Sequence, residues 1–237
     1  MQYYQNNVGG MINLISSMKE HKIDKIIFSS SNAVYDSNIS LPLKENSRIN
    51  PINAYGTTKR VNERMLEELE NSFDHFSSII LRYFNPIGAH PSGILGEDHK
   101  GESQLIVPEI TKILKEKSVF LKIYGKNYAT KDGTALRDYI HVMDLAKAHL
   151  LAVKNFYKFG TQVYNICTGK PTSVLELVEC FKRASNRDIP YEFLDGHDED
   201  VPVSYCDPEK ATKELDFTAS YTLDEMCQHS VKFIEMN

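Results

Sequence analysis

The sequence contains no apolar stretch approaching the roughly 20 residues that a bilayer-spanning helix needs, so no membrane partner is expected. It has no long basic run and a formal net charge of −5, which argues against nucleic acid as a partner. Its four cysteines, Cys167, Cys180, Cys206 and Cys227, are widely spaced and form neither a CxxC nor a Cys/His pattern. That usage points to a reduced, cytoplasmic protein with no metal site. Residues 1–20 are polar and helical in pattern, unlike a signal peptide. There is no internal repeat and no low-complexity linker. What is present is 237 residues, 41% hydrophobic and 25% charged, the balance of a globular chain with a sizeable core rather than a disordered one.

Helix and strand patterns alternate. Val8, Met11, Ile12, Ile15 and Met18 recur at helical spacing and predict a helix over about 5–20. The apolar run Lys25-Ile26-Ile27-Phe28-Ser29 reads as a buried parallel strand. A polar loop with Pro42 and Pro51 follows, then a helix over about 54–72 with Asn53 as N-cap, then a second buried strand over 78–83. Strand, helix and strand at this spacing predict a βαβ crossover and a parallel sheet. After Asn85 the chain becomes rich in Gly and Pro to about Gly101. Helices are expected near 104–116, 141–157, 173–184, 207–214 and 222–235, and strands near 120–124, 163–166 and 190–194.

Chemistry is suggested first by Tyr55-Gly56-Thr57-Thr58-Lys59. Residues four apart at the start of a helix share a face. A Tyr with a pKa near ~10 is a poor base at neutral pH, and a neighbouring Lys⁺ favours its phenolate. Alone the pattern is weak, because such pairs are common on exposed helix faces. Ser29-Ser30-Ser31 closes the apolar strand ahead of Tyr55, and Asn85 follows the next strand in the same way. Ligands of doubly wound sheets bind outside those carboxyl ends.

Longer motifs carry a resemblance. Phe28-Ser29-Ser30-Ser31-Asn32-Ala33-Val34-Tyr35, Tyr55-Gly56-x-x-Lys59, the run from Arg82-Tyr83-Phe84-Asn85-Pro86-Ile87-Gly88 to Gly93, and Asp132-Gly133-Thr134-x-x-Arg137-Asp138-Tyr139-Ile140-His141-Val142-x-Asp144 resemble UDP-glucose 4-epimerases of the extended short-chain dehydrogenase/reductase superfamily. The resemblance runs in order from Tyr3 to about Ile234. It implies an NAD-dependent enzyme that takes hydride from C4 of a UDP-hexose, forms a 4-keto sugar and returns the hydride to the other face. Tyr55 would be the base, Ser31 would assist at the reacting oxygen, and Lys59 would hold the nicotinamide ribose and tune Tyr55. Asn6, Ser29, Ser30, Tyr83 and Phe84 would also meet the cofactor. Asn32, Ala33, Tyr83 and Phe84 would also contact the substrate, and Asn85 and Arg137 would hold the diphosphate. The backbone of Lys122, Ile123 and Tyr124 would meet the uracil, Leu105 stands where a substrate-contacting Asn is common, and His197, Asp200 and Ser204 complete the substrate side. Without the resemblance, Arg137 could equally be a surface partner of Asp138. The implied partner is a UDP-hexose, and the implied cofactor is NAD.

The chain departs from that pattern. It has no Gly-rich GxxGxxG turn, whose backbone N–H groups meet the pyrophosphate. The expectation is therefore an α/β chain with a truncated Rossmann-like doubly wound parallel sheet at 1–90 and a smaller α/β substrate lobe at 91–237, into which core elements return at about 137–168. Either a fragment of a longer epimerase, a homodimer or complex in which another polypeptide supplies the missing half, or an inactive interaction partner would fit. A dehydratase fits less well, because Asn32-Ala33 occupies the positions where that reaction needs an acid. His197-Asp198-Glu199-Asp200 stands where an Arg is usual, and a titratable His holds a diphosphate less firmly. A small Ser204 is associated with room for N-acetylated sugars. By itself the chain is expected to bind NAD⁺ weakly or not at all. Isothermal titration checks this, and micromolar or tighter binding would overturn it.

Overall fold

The structure is a computed structural model and describes residues 1–73, 75–98, 105–115, 119–156, 160–196 and 201–237. The chain divides into two compact units. The first comprises Met1–Phe84, Lys147–Ile166 and Cys206–Thr218, and the second Asn85–Ala146, Cys167–Tyr205 and Ala219–Asn237.

In the first unit a π-helical turn, Tyr4–Gly9, runs into α1, Gly10–Glu20. Strand β1, Lys25–Ser31, is followed by a 3-10 turn at Asn32–Val34 and by α2, Ala54–Glu70. Asn53 caps α2 as expected, its Oδ1 accepting the Gly56 N–H at 2.8 Å. Strand β2, Ser77–Tyr83, lies parallel to β1, so the βαβ crossover is present. A later strand of this unit, Gly160–Ile166, pairs with the other edge of β2 and is also parallel. Helix α2 covers this sheet through a core of Met11, Met18, Phe28, Leu66, Phe76 and Ile80.

The second unit begins with β3, Asn85–Ile87, a short strand where the sequence pattern gives only loop. It continues with α3, Ile106–Leu114, β4, Leu121–Tyr124, β5, Leu136–His141, and α4, Val142–Lys154, whose last residues belong to the first unit. The first unit's third strand is β6, Gly160–Ile166. Then come β7, Pro171–Ser173, α5, Val174–Ser185, β8, Tyr191–Leu194, and β9, Val203–Ser204. The chain ends with α6, Glu209–Leu215, in the first unit and α7, Leu223–Met236, in the second. β5 is flanked by β3 and β9, both parallel, and by antiparallel β7, while β4 and β8 form a parallel pair. Capping boxes start α5 at Ser173/Glu176 and α7 at Thr222/Glu225. These helices pack with α3 on a core that includes Ile110, Leu121, Tyr139, Leu177, Phe181 and Val231.

Two of the four cysteines, Cys180 and Cys227, are free and buried. Cys167 and Cys206 are oxidised to disulfide, so the expectation of a fully reduced set fails for those two. Among the described residues, no helix is long and apolar enough to cross a membrane.

Two glycines mark close approaches. A Cβ on Gly56 would lie 2.2 Å from the Ala33 carbonyl oxygen, so the first turn of α2 seats against the 3-10 turn only because this side chain is absent. Gly88, at φ +88°, has the ring of His141 at 2.9 Å from the place of a Cβ. His141 is fully buried and stacks on Tyr221 at 4.0 Å between centroids. Its Nδ1 accepts the Met143 N–H at 2.9 Å, so its proton resides on Nε2, which donates to His229 Nδ1 at 2.9 Å.

Gly56→Ala should cost about 1–3 kcal/mol, the usual price of overpacking, seen as a lowered thermal midpoint. An unchanged midpoint would mean that the turn yields freely. The His141 imidazole is pushed down to about 4 by burial and then by His229, against the opposing charges of Asp144 and Glu225. An unfolded His titrates near ~6.5, so between these values the unfolded chain holds more protons than the folded one. This group's contribution is fully present above the unfolded value and is lost as pH falls toward the folded one. Urea midpoints at pH values either side of that window should differ less in His141→Gln than in the wild type. An equal difference in both proteins would remove His141 as the cause.

Candidate functional site

Tyr55 and Lys59 stand one turn apart on α2, both half-buried. The Lys59 ammonium donates to the Ser29 carbonyl oxygen at 2.9 Å and lies 5.2 Å from the Phe28 ring centre and 5.6 Å from that of Tyr55. Burial lowers the pKa of Lys59 from its ordinary value. Ser31, at the carboxyl end of β1, lies near enough to the Tyr55 hydroxyl to favour its anion, while its own hydroxyl donates to Asn32 Oδ1 at 3.3 Å and accepts the Ala33 N–H at 3.2 Å. Tyr3 meets Tyr55 edge-on at 5.7 Å. The structure thus brings Ser31, Tyr55, Lys59 and Ser29 together at one strand end.

The expected depression of the Tyr55 pKa is not met. Burial raises it, the nearby Ser31 hydroxyl opposes that rise, and Tyr3 adds to it. Desolvation of the phenolate outweighs what a lysine more than 5 Å from the ring returns. The phenol is therefore protonated at neutral pH until something else stabilises its anion.

Tyr83 joins the cluster through a 2.8 Å bond between its hydroxyl and that of Ser29. On its other side the same hydroxyl meets His149 Nε2 at 2.6 Å. His149 is absent from the sequence-derived set, since a lone His on an amphipathic helix gives no signal. Ser30 behaves differently from its neighbours. Its hydroxyl is buried and donates to Glu63 Oε1 at 2.6 Å, so it is not brought to Tyr55. Alternation along a strand turns Ser30 to the opposite side from Ser29 and Ser31. Asn32 and Ala33 form the 3-10 turn just beyond Ser31, and Phe84 is buried. Asn6 is exposed on the π-helical turn, while its neighbour Asn7 donates to Thr58 Oγ1, between Tyr55 and Lys59, at 2.9 Å.

In the second unit, Asn85 opens β3 opposite Tyr139 of β5. Its Oδ1 is buried and has no hydrogen-bond partner among the described residues. An orphaned buried acceptor is costly, and it is the kind of atom a bound ligand relieves. Arg137 lies on β5 in register with Ser204 of β9, and its guanidinium donates to the carbonyls of Leu136 at 2.9 Å and Pro202 at 3.5 Å. Asp138, on the other side of the strand, accepts from the backbone of Thr168 and Gly169 and from the Thr168 hydroxyl. Lys122 and Tyr124 are exposed on β4 with Ile123 buried between them, and Leu105 is exposed as N-cap of α3. His197 and Asp200 lie outside the described residues.

The donor set of the first unit suits the nicotinamide-ribose end of NAD: an ammonium, a serine hydroxyl and a phenol converge on one strand end. The sequence holds no Gly-rich cradle for the pyrophosphate.

Comparison with known proteins bears on the family of the chain. The UDP-glucose 4-epimerase of Dictyostelium discoideum is 41% identical over 239 aligned positions, covering 100% of this chain and 70% of that protein. The UDP-glucose 4-epimerase of Bacillus subtilis is 40% identical, covering 100% of this chain and 70% of its own length. The crystal structure of UDP-glucose 4-epimerase from Bifidobacterium longum in complex with NAD⁺ and UDP superposes with a TM-score of 0.95 at 39% identity, over 100% of this chain and 71% of that one. The resemblance carried by the sequence motifs and the Rossmann-like α/β fold are both borne out. With the model of the NAD dependent epimerase/dehydratase family matching residues 1–167, the chain belongs to that family.

Proposed function

We propose that this chain carries the base and sugar-nucleotide residues of a UDP-glucose/UDP-galactose 4-epimerase. The observation that carries the reading is the convergence of Ser31, Tyr55 and Lys59 at the end of β1 in a chain whose relatives bear that name. NAD⁺, when bound, supplies a reversible hydride acceptor for C4 of the sugar. Tyr55 takes the proton of the 4-hydroxyl and later returns it. Ser31, beside Tyr55 at the end of β1, assists the proton transfer at the reacting oxygen. Lys59, anchored on the Ser29 carbonyl, supplies positive charge beside the phenolate and a donor for a ribose hydroxyl. A phenol with an ordinary pKa near ~10 is protonated at neutral pH and burial raises that value further, so positive charge beside Tyr55, from Lys59 and from a nicotinamide if one were bound, would favour its action as base. Asn85 and Arg137 take the diphosphate. A guanidinium offers a planar fork of donors for that purpose, and the unpartnered Asn85 Oδ1 marks a polar group awaiting a ligand. Leu105, the β4 backbone and Ser204 line the uridine and sugar sides, with His197 and Asp200 as further contacts. The cytoplasm, where NAD and nucleotide sugars are available, is the compartment.

A second reading is association. Ile12 and Leu14 on α1 and Ile23 just after it are each about half exposed, at 50%, 49% and 54%. Exposed apolar side chains on the helix that precedes β1 are what supports this reading.

In an active assembly, Tyr55→Phe should lower conversion of UDP-galactose to UDP-glucose by ~10²–10⁴, the usual worth of one positioned base, with little change in substrate affinity. Arg137→Ala should weaken binding more than the chemical step. A Tyr55→Phe rate within about twofold of wild type would remove Tyr55 as the base, since a positioned base contributes far more. Absence of turnover in the wild-type assembly would favour the association reading.

A further inference from the structure

Directly beneath the catalytic row lies a second row of in-register residues. Ser31 of β1 is paired with Tyr83 of β2, and one step earlier Ser30 is paired with Arg82 and Arg82 with Asn165 of β6. All three of that earlier row are buried, as are Glu63 of α2 and Tyr35. Glu63 and Arg82 form a two-pronged pair, Nε to Oε1 at 2.9 Å and Nη2 to Oε2 at 2.8 Å. Ser30 donates to the same carboxylate at 2.6 Å, and Arg60 adds a fourth donor at 3.2 Å. The remaining Arg82 nitrogen donates to Tyr35 at 3.0 Å and to the Glu45 carbonyl at 3.1 Å, and Tyr35 donates to Asn165 Oδ1 at 2.6 Å.

We propose that the buried Glu63–Arg82 pair is a positioning device for the catalytic row, locking α2 to the three strands so that Tyr55 meets Ser31 and Lys59 meets Ser29. The helix geometry supports this. Tyr55, Lys59 and Glu63 are four residues apart in succession, so they lie along one stripe of α2. Apolar contacts below them, such as Leu66 against Phe28 and Ile80, tolerate sliding and rotation. Directional bonds from Glu63 to Ser30 on β1 and to Arg82 on β2 do not. They set both the rise of α2 along the sheet and its rotation, one residue short of where Ser31 and Tyr83 act. A pair kept only for stability has no need of this location, since a buried ion pair can often be replaced by apolar residues without loss of stability.

The inference rests on the epimerase reading for its rate arm, while its first readout does not need it. Glu63→Leu combined with Arg82→Met replaces the pair with apolar groups of similar bulk and strands no buried charge. The full chain is then compared with wild type by thermal melting and by ¹⁹F NMR titration with ring-fluorinated tyrosine at Tyr55, which brings the phenol's midpoint into a range where the fold holds. The expected result is a melting midpoint near that of wild type, with the Tyr55 midpoint moved upward by roughly one unit as the phenol is displaced from Ser31 and Lys59. In an active assembly, kcat should fall by up to ~10²-fold, the scale of a misplacement of about 1 Å, with KM little changed. A double variant that melts normally and keeps the wild-type Tyr55 midpoint would overturn the proposal. If the double variant does not fold, Glu63→Gln decides: it keeps the size and one acceptor but weakens the bond to Arg82. A smaller upward shift of Tyr55 then supports the proposal, and an unmoved midpoint overturns it. A wild-type assembly without turnover would remove the epimerase reading alone, because the Tyr55 titration still decides the role of the pair.

Discussion

A carboxylate taken out of water must be surrounded by donors or it will not stay ionised in the core. Glu63 meets this requirement with Arg82, Arg60 and Ser30, and the elements that supply these donors are thereby tied together. The crossover βαβ unit is held by apolar packing over most of its length and by oriented polar bonds near its functional end. Burial pushes the Tyr35 phenol up to about 12, against the lowering effect of Arg82, so Tyr35 serves the network as a donor.

The same division between apolar and oriented contact explains how α2 presents its reactive face. Asn53 fixes where the helix begins, and Gly56 lets its first turn press on the Ala33 carbonyl. Thr58 ties the helix to the π-helical turn through Asn7. Tyr55 and Lys59 are thus held by bonds above and below them, and their half-burial gives the tyrosine its raised and the lysine its lowered pKa.

Much of this was legible in the sequence, and the rest was hidden for identifiable reasons. Asn53 as a cap, the βαβ unit and the Tyr55/Lys59 stripe follow from local spacing, and the structure reproduces them. Strands β3, β7 and β9 span two or three residues, too few to show any alternation. Arg82 did leave a signal: an arginine directly after the apolar run Ile79-Ile80-Leu81 of a buried strand demands a buried partner, and Glu63, on the stripe of Tyr55 and Lys59, was available. Ser30 could have been separated from Ser29 and Ser31 by strand alternation alone. Nothing local marks His149, because its role arises from a contact with Tyr83, 66 residues earlier. The fall in the Tyr55 pKa was expected from charge alone, and the desolvation that reverses it depends on burial that spacing does not reveal.

Strand β2 is flanked by hydrogen-bonded neighbours on both edges and is buried at every residue from Ser77 to Arg82. Its amides can meet solvent only when β1 or β6 has detached, so local fraying cannot reach them. Hydrogen exchange there reports the opening of the whole first unit, whereas the amides of β1, with one edge paired, report smaller excursions. Tyr83 and Arg82, the last two residues of β2, therefore inherit the slowest opening that this unit offers. The reactive cluster draws its persistence from the strand beneath it rather than from the loops around it.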